Sequence, residues 1–142
     1  MNSQKFLIGT LVGGIVFFLL GYLFYGMALA NFFTEHSLAP AGSMKTMGEF
    51  AWWALILGNL ANAALLAYVF QKIGNINSFG SAARTAAAIG FFIGLSSSLI
   101  RFAVANSSDL TGTLTNVVVT TVMFAIAGGI IGVVLGMGKK KA

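Results

Sequence analysis

Residues 79–104 read FGSAARTAAAIGFFIGLSSSLIRFAV, and the fold turns on this stretch. As a helix, steps of three and four residues bring Ala83, Ala87, Gly90, Gly94, Ser97, Ser98 and Arg101 to one side. That side is small and polar, suited to close approach of another backbone. Ile89, Phe92 and Ile93 on the opposite side suit lipid or an apolar neighbour. An apolar run of about 20 residues is enough to cross a bilayer. The stretch therefore reads as a membrane helix whose packing face ends in a cation, and an arginine so placed needs a partner or a route to water.

The rest of the chain has the same character. Of its 142 residues, 58% are hydrophobic, 8% are charged and 18 are glycine, the last roughly twice the ~7% found in average proteins. Eight basic and three acidic residues cannot cover the surface of a water-soluble domain of this length. The chain is an integral membrane protein, and the lipid bilayer is its first partner. The absence of cysteine excludes disulfides, thiolate metal sites and thiol nucleophiles. A net charge of +5 would point a soluble protein toward nucleic acid. Here the cations sit mainly at helix ends, where they orient the chain against lipid, and no nucleic-acid partner is expected. With no long repeat, linker or shift in composition, residues 1–142 read as a single four-span domain.

The first span runs from Phe6 to about Phe33, long enough to cross with tilt. Its rival reading is a secretory signal peptide, with Lys5 as the basic start and Ala28-Leu29-Ala30 as the cleavage site. The run exceeds a typical signal core of about 7 to 15 residues, so an uncleaved helix is expected. Thr10, Gly14, Gly21 and Ala28 share a face of it, with Tyr25 close by. A polar connection, Thr34 to Thr46, contains Pro40 and the sole histidine, His36. One histidine without further ligands does not make a metal or haem site, so His36 reads as a solvated loop residue and no cofactor is expected.

The second span covers about Met47 to Phe70, with Trp52 and Trp53 near one interface and Tyr68 near the other. Asn59 and Asn62 lie within it, and both amides need partners in protein or internal water. The turn QKIGNINS, residues 71–78, leads into the third span, 79–104. The fourth runs from about Gly112 to Met137. There Gly128, Gly132 and Gly136 recur every fourth residue, extended by Thr121 and Ala125. Together with Gly90 and Gly94 they form grooves that let helices approach closely where lipid offers no hydrophobic drive.

Lys5, Lys72, Arg84 and the lysines at 139–141 all fall on one side of four spans, while Glu35, Glu49 and Asp109 fall on the other with Lys45. The expected fold is an all-α, antiparallel four-helix membrane bundle with both termini cytoplasmic. Rises of about 1.5 Å per residue then put Arg101 and Glu49 at similar depth near the outer interface. Ser97, Asn116, Thr120, Tyr25 and Asn59 fall in the same half. These residues are expected to line an outward-facing polar vestibule, with Glu49 or Asp109 as the counter-ion of Arg101. The competing placement sends Arg101 out to the lipid headgroups.

Gly21 to Tyr25, GYLFY, gives a first span ending in Gly-x-Leu-aromatic-Tyr ahead of three further spans. In this it resembles a family of small bacterial membrane proteins catalogued as a domain of unknown function. The Ser-Pro and Phe-Gly-Lys that usually follow the tyrosine in that family are missing here. The resemblance implies a bacterial inner-membrane location and carries over no catalytic residue.

An enzyme needs converging acids, bases or a metal, and one histidine with three carboxylates near a single surface does not supply them. The expected class is a non-enzymatic scaffold or accessory subunit in a homo-oligomer or larger membrane complex. The alternative is a small oligomeric transporter or channel lined by Asn, Ser and Thr.

Overall fold

A computed structural model of the chain describes residues 3–28, 30–36, 51–74, 76, 78–104 and 109–136, and all of its regular elements are helical. In order these are α1 (Ser3–Gly21), a π-helical continuation (Tyr22–Ala28), α2 (Ala30–Glu35), α3 (Trp52–Ile73), α4 (Phe79–Val104) and α5 (Leu110–Gly136). Among the described residues, four stretches are long and apolar enough to cross a membrane: Ser3–Tyr25, Trp52–Ile73, Phe79–Val104 and Leu110–Gly136. At 1.5 Å per residue they reach about 33 to 41 Å, against a hydrocarbon core of about 30 Å. The chain is an all-helical, multi-pass membrane protein.

The elements end where local chemistry stops them. Gly74 closes α3 at φ 74°, a left-handed conformation that side chains resist, and its N–H still reaches the Phe70 carbonyl at 3.1 Å. Ser78 opens α4: its hydroxyl accepts from the Ser81 N–H at 3.4 Å, and its carbonyl takes the Ala82 N–H at 3.1 Å. Asp109 opens α5 in the same way, its carboxylate accepting the Gly112 N–H at 2.8 Å. Residues 47–50, expected at the head of the second span, lie outside the described residues, as do 137–142 beyond the fourth.

The most extensive helix contact is α4 with α5, followed by α1 with α3 and α1 with α5. The α4 and α5 pair meets in a ladder. Ala82 faces Gly132, Ala86 faces Gly128, Gly90 faces Phe124 and Gly94 faces Thr120; Ser98 then bonds Asn116. Each four-residue step along α4 is matched by a four-residue step back along α5. A side chain added at Gly90 would stand 2.5 Å from the Phe124 Cβ, and one at Gly94 3.1 Å from the Thr120 Cβ. Gly136, the last of the expected packing glycines, is half-buried. The buried row of α4 is Ala82, Ala86, Gly90, Gly94 and Ser98, one residue away from the expected Ala83 and Ala87 at its beginning. Facing α5 at a constant step of four selects this row over its neighbour.

Burial is lopsided. Phe17 of α1, Leu66 and Phe70 of α3, Ala82 and Ala86 of α4, and Phe124 and Ile131 of α5 belong to one buried apolar cluster. It occupies the half where α3 ends, α4 begins and α5 ends. In the other half, residues 52–58 of α3 and 99–104 of α4 are exposed at every position. Alanine and glycine draw the backbones together at one end, while Trp52, Trp53, Leu55, Ile56 and Leu57 at the other present large apolar surfaces that lipid solvates without cost.

Candidate functional site

The open half contains a chain of polar side chains drawn from three elements. A π-helical turn takes in one more residue than an α-turn, so it rotates the side chains beyond it relative to the helix it continues. Tyr25 lies in this segment, and its hydroxyl donates to the Oδ1 atom of Asn116 on α5. The Nδ2 atom of Asn116 donates in turn to the Ser98 hydroxyl on α4 at 3.0 Å. Both ends of the Asn116 amide are thus engaged, which fixes its orientation. Thr120, one turn along α5, and the Arg101 guanidinium both lie near enough to the Tyr25 hydroxyl to act on it electrostatically. Ser98 is 6% exposed, so its hydroxyl depends on Asn116 or on its own helix for a partner.

Of the residues expected to line a vestibule, Tyr25, Asn116, Thr120 and Arg101 come together. Asn59 and Ser97 are satisfied by their own helices: the Asn59 amide donates to the Leu55 carbonyl at 2.9 Å and the Ser97 hydroxyl to the Ile93 carbonyl at 2.8 Å. Glu49 lies outside the described residues. Ser98, which the sequence places on the same face as Ser97, is the serine that joins the cluster. A serine row is readable from spacing, but which of two neighbouring serines points at the partner depends on helix rotation.

A second polar contact closes the same end. The Asp109 carboxylate meets the His36 Nδ1 atom at 2.7 Å, and the Asp109 N–H donates to the His36 carbonyl at 2.9 Å. His36 is therefore clasped at two points to the start of α5, where a solvated loop residue was expected, and its ring leans on Phe32 with 4.4 Å between centroids. The Gly112 N–H, and after it the His36 ring, hold the Asp109 carboxyl below the usual carboxylate range. At the opposite end of the molecule, the Lys5 ammonium donates to the Leu135 carbonyl near the end of α5 at 3.2 Å. Asp109 serves His36, and among the described residues Arg101 makes no ion pair.

A pair of rings backs the polar cluster. Phe17 and Phe124 meet edge to face with centroids 4.9 Å apart, and Phe124 lies one turn beyond Thr120 on α5. Past them the interior is the apolar cluster around Leu66, Phe70 and Ile131. Among the described residues no group of three or more His, Asp or Glu side chains is placed to hold a metal ion. What the arrangement can do is present hydroxyls, an amide and a guanidinium to a polar group reaching it from the open end.

No model of a known protein family, no curated protein and no solved structure matches this chain. The resemblance accordingly rests on the four-span layout and the short motif at Gly21 to Tyr25.

Proposed function

We propose that this chain is a non-enzymatic scaffold or accessory subunit of a bacterial inner membrane. It is an antiparallel four-helix bundle with both termini in the cytosol and a one-sided polar site facing outward. The observation that carries the reading is the Phe17–Phe124 contact: the polar cluster is backed by apolar packing, which suits holding a partner better than passing a solute. The distribution of charge supports the orientation. Lys5, Lys72 and Arg84 belong to the densely packed end, and Glu35 and Asp109 to the open one.

Two experiments test this. Because the chain has no cysteine, single cysteines report topology directly. A membrane-impermeant maleimide should label Glu35→Cys in intact cells and Ser78→Cys only after permeabilisation; the reverse pattern inverts the orientation. For function, crosslinking and native mass measurement from the native membrane should show a distinct protein subunit whose recovery falls in Asn116→Leu. A homo-oligomer that conducts ions or solute in liposomes would instead establish the transporter alternative.

A further inference from the structure

We propose that this chain forms a parallel homodimer through an uncovered side of α3, in which the Asn62 amides of the two copies bond each other across a two-fold axis. This goes beyond the scaffold reading and stands whether or not a distinct protein subunit also binds.

Asn62 carries the inference. It lies midway along α3, about 15 Å from either end, and so near the centre of a hydrocarbon layer about 30 Å thick. Its side chain is partly exposed and makes no hydrogen bond among the described residues. Asn59, one turn away, differs: its amide turns back to the Leu55 carbonyl at 2.9 Å. Lipid solvates leucine without cost but offers an amide neither donor nor acceptor, so an unmet amide at that depth is strongly disfavoured. A segment from beyond either end of α3 would have to carry unpaired backbone into the middle of the membrane to reach it. The partner of Asn62 therefore comes from another membrane helix.

The side of α3 around Asn62 is open to receive one. α3 packs on α1 and α5, and its buried residues are Ala63, Leu66, Ala67 and Phe70. Leu55, Gly58, Asn62, Leu65 and Val69 form a separate row, every member at least partly exposed. Among the described residues no atom lies within 4 Å of a methyl group added at Gly58. Steps along the row alternate between three and four residues, the repeat with which two helices wind around each other in a left-handed pair. One asparagine within such a row fixes its register.

The amide itself selects a second copy. It combines an NH2 donor with a carbonyl acceptor, so an identical amide is its complement. Two copies inserted in the same direction hold Asn62 at the same depth, and a two-fold axis between them lets each Nδ2 donate to the other's Oδ1.

The test uses the full chain in lipid vesicles over a range of protein-to-lipid ratios, with self-association read by energy transfer between donor- and acceptor-labelled copies. The wild-type chain is expected to dimerise, and Asn62→Leu should raise the dissociation constant about tenfold, the effect of two hydrogen bonds between membrane helices. Asn59→Leu should dimerise like wild type. Asn62→Gln keeps an amide and should fall between, which separates loss of the bond from loss of fold. Because the chain has no cysteine, Leu55→Cys and Leu65→Cys should each give a disulfide-linked dimer on oxidation. Leu57→Cys, exposed on another side of α3, should not. A chain that stays monomeric at every ratio, equal dissociation constants for Asn62→Leu and Asn59→Leu, or crosslinking of Leu57→Cys equal to that of Leu65→Cys overturns the interface. Leu65→Cys crosslinked in the native membrane to a different protein, and not to itself, overturns the second copy as its occupant.

Discussion

Gly128 of α5 rests against the side chain of Ala86 on α4 so closely that no methyl group fits between them. One turn further, Gly132 stands in the same relation to Ala82. Lipid is as apolar as leucine, so in a membrane this closeness, and not the removal of apolar surface from water, is what joins the two helices. Gains come from dispersion between backbones and small side chains, each contact slight and the sum large.

Gly128→Ala should therefore destabilise the chain, because the new methyl meets Ala86 with helix backbone behind it, while the nearest Leu66 atom is at 3.5 Å. Overpacking of this kind costs about 1 to 3 kcal/mol. Gly58→Ala is the contrast: among the described residues no atom lies within 4 Å of the added methyl, and better helix propensity should stabilise α3 by about 0.5 to 1 kcal/mol. Thermal unfolding in detergent, with both variants side by side, checks the opposite signs.

Asn116→Leu should cost about 1 kcal/mol, since it removes the partner of a buried Ser98 hydroxyl and of Tyr25. Combined with Tyr25→Phe, the effects should fall short of additivity by about 0.6 kcal/mol, the typical coupling of a hydrogen bond between membrane helices. Strict additivity in a double-mutant cycle would mean that the two side chains do not act on one another.

Asn59→Leu should leave stability unchanged or raise it. Among the described residues its amide bonds the Leu55 carbonyl of its own helix, a bond that the backbone does not need. The same substitution at two asparagines thus separates a side chain that links helices from one that does not, in the same unfolding assay.

The Asp109 carboxylate, held first by the Gly112 N–H and then by His36, makes stability depend on acid. A carboxyl held below its ordinary range stabilises the fold in full above its unfolded pKa of about 3.9, and that stabilisation is lost as pH falls through the lower folded value. Melting temperature should therefore drop below about pH 4 in the wild type. Asp109→Asn, which still caps α5, should show a lower plateau at neutral pH and a flatter acid limb. An acid limb unchanged by the substitution would assign that pH dependence to other groups.

Spacing and composition made the four crossings legible because both depend only on the run of apolar residues. The third span, 79–104, coincides with α4, whose flanking Gly74 and Ser78 are chemical stop and start signals. The apolar run predicts one helix from Phe6 to Phe33, yet the chain passes from α1 through a π-helical turn into α2. Periods of 3.6 and 4.4 residues are indistinguishable over so uniform a run as YLFYGMA. In the same way, spacing marked a small face on α4 without choosing between Ala82 with Ala86 and Ala83 with Ala87; the partner helix makes that choice. The clasp was hidden because His36 and Asp109 are 73 residues apart, and no local pattern joins two loops.

The π-helical stretch at Tyr22–Ala28, seven residues long, also sets where the chain tolerates a change of length. Such a turn carries a surplus residue, and π-turns can relax to ordinary α-helix by losing it. A single deletion there shortens the first crossing while its hydrogen-bonded backbone stays continuous. The same deletion in the middle of α4 would throw every later rung out of phase with α5. Insertions and deletions should thus be absorbed at the tyrosine end of the first crossing and rejected along the pair formed by the last two.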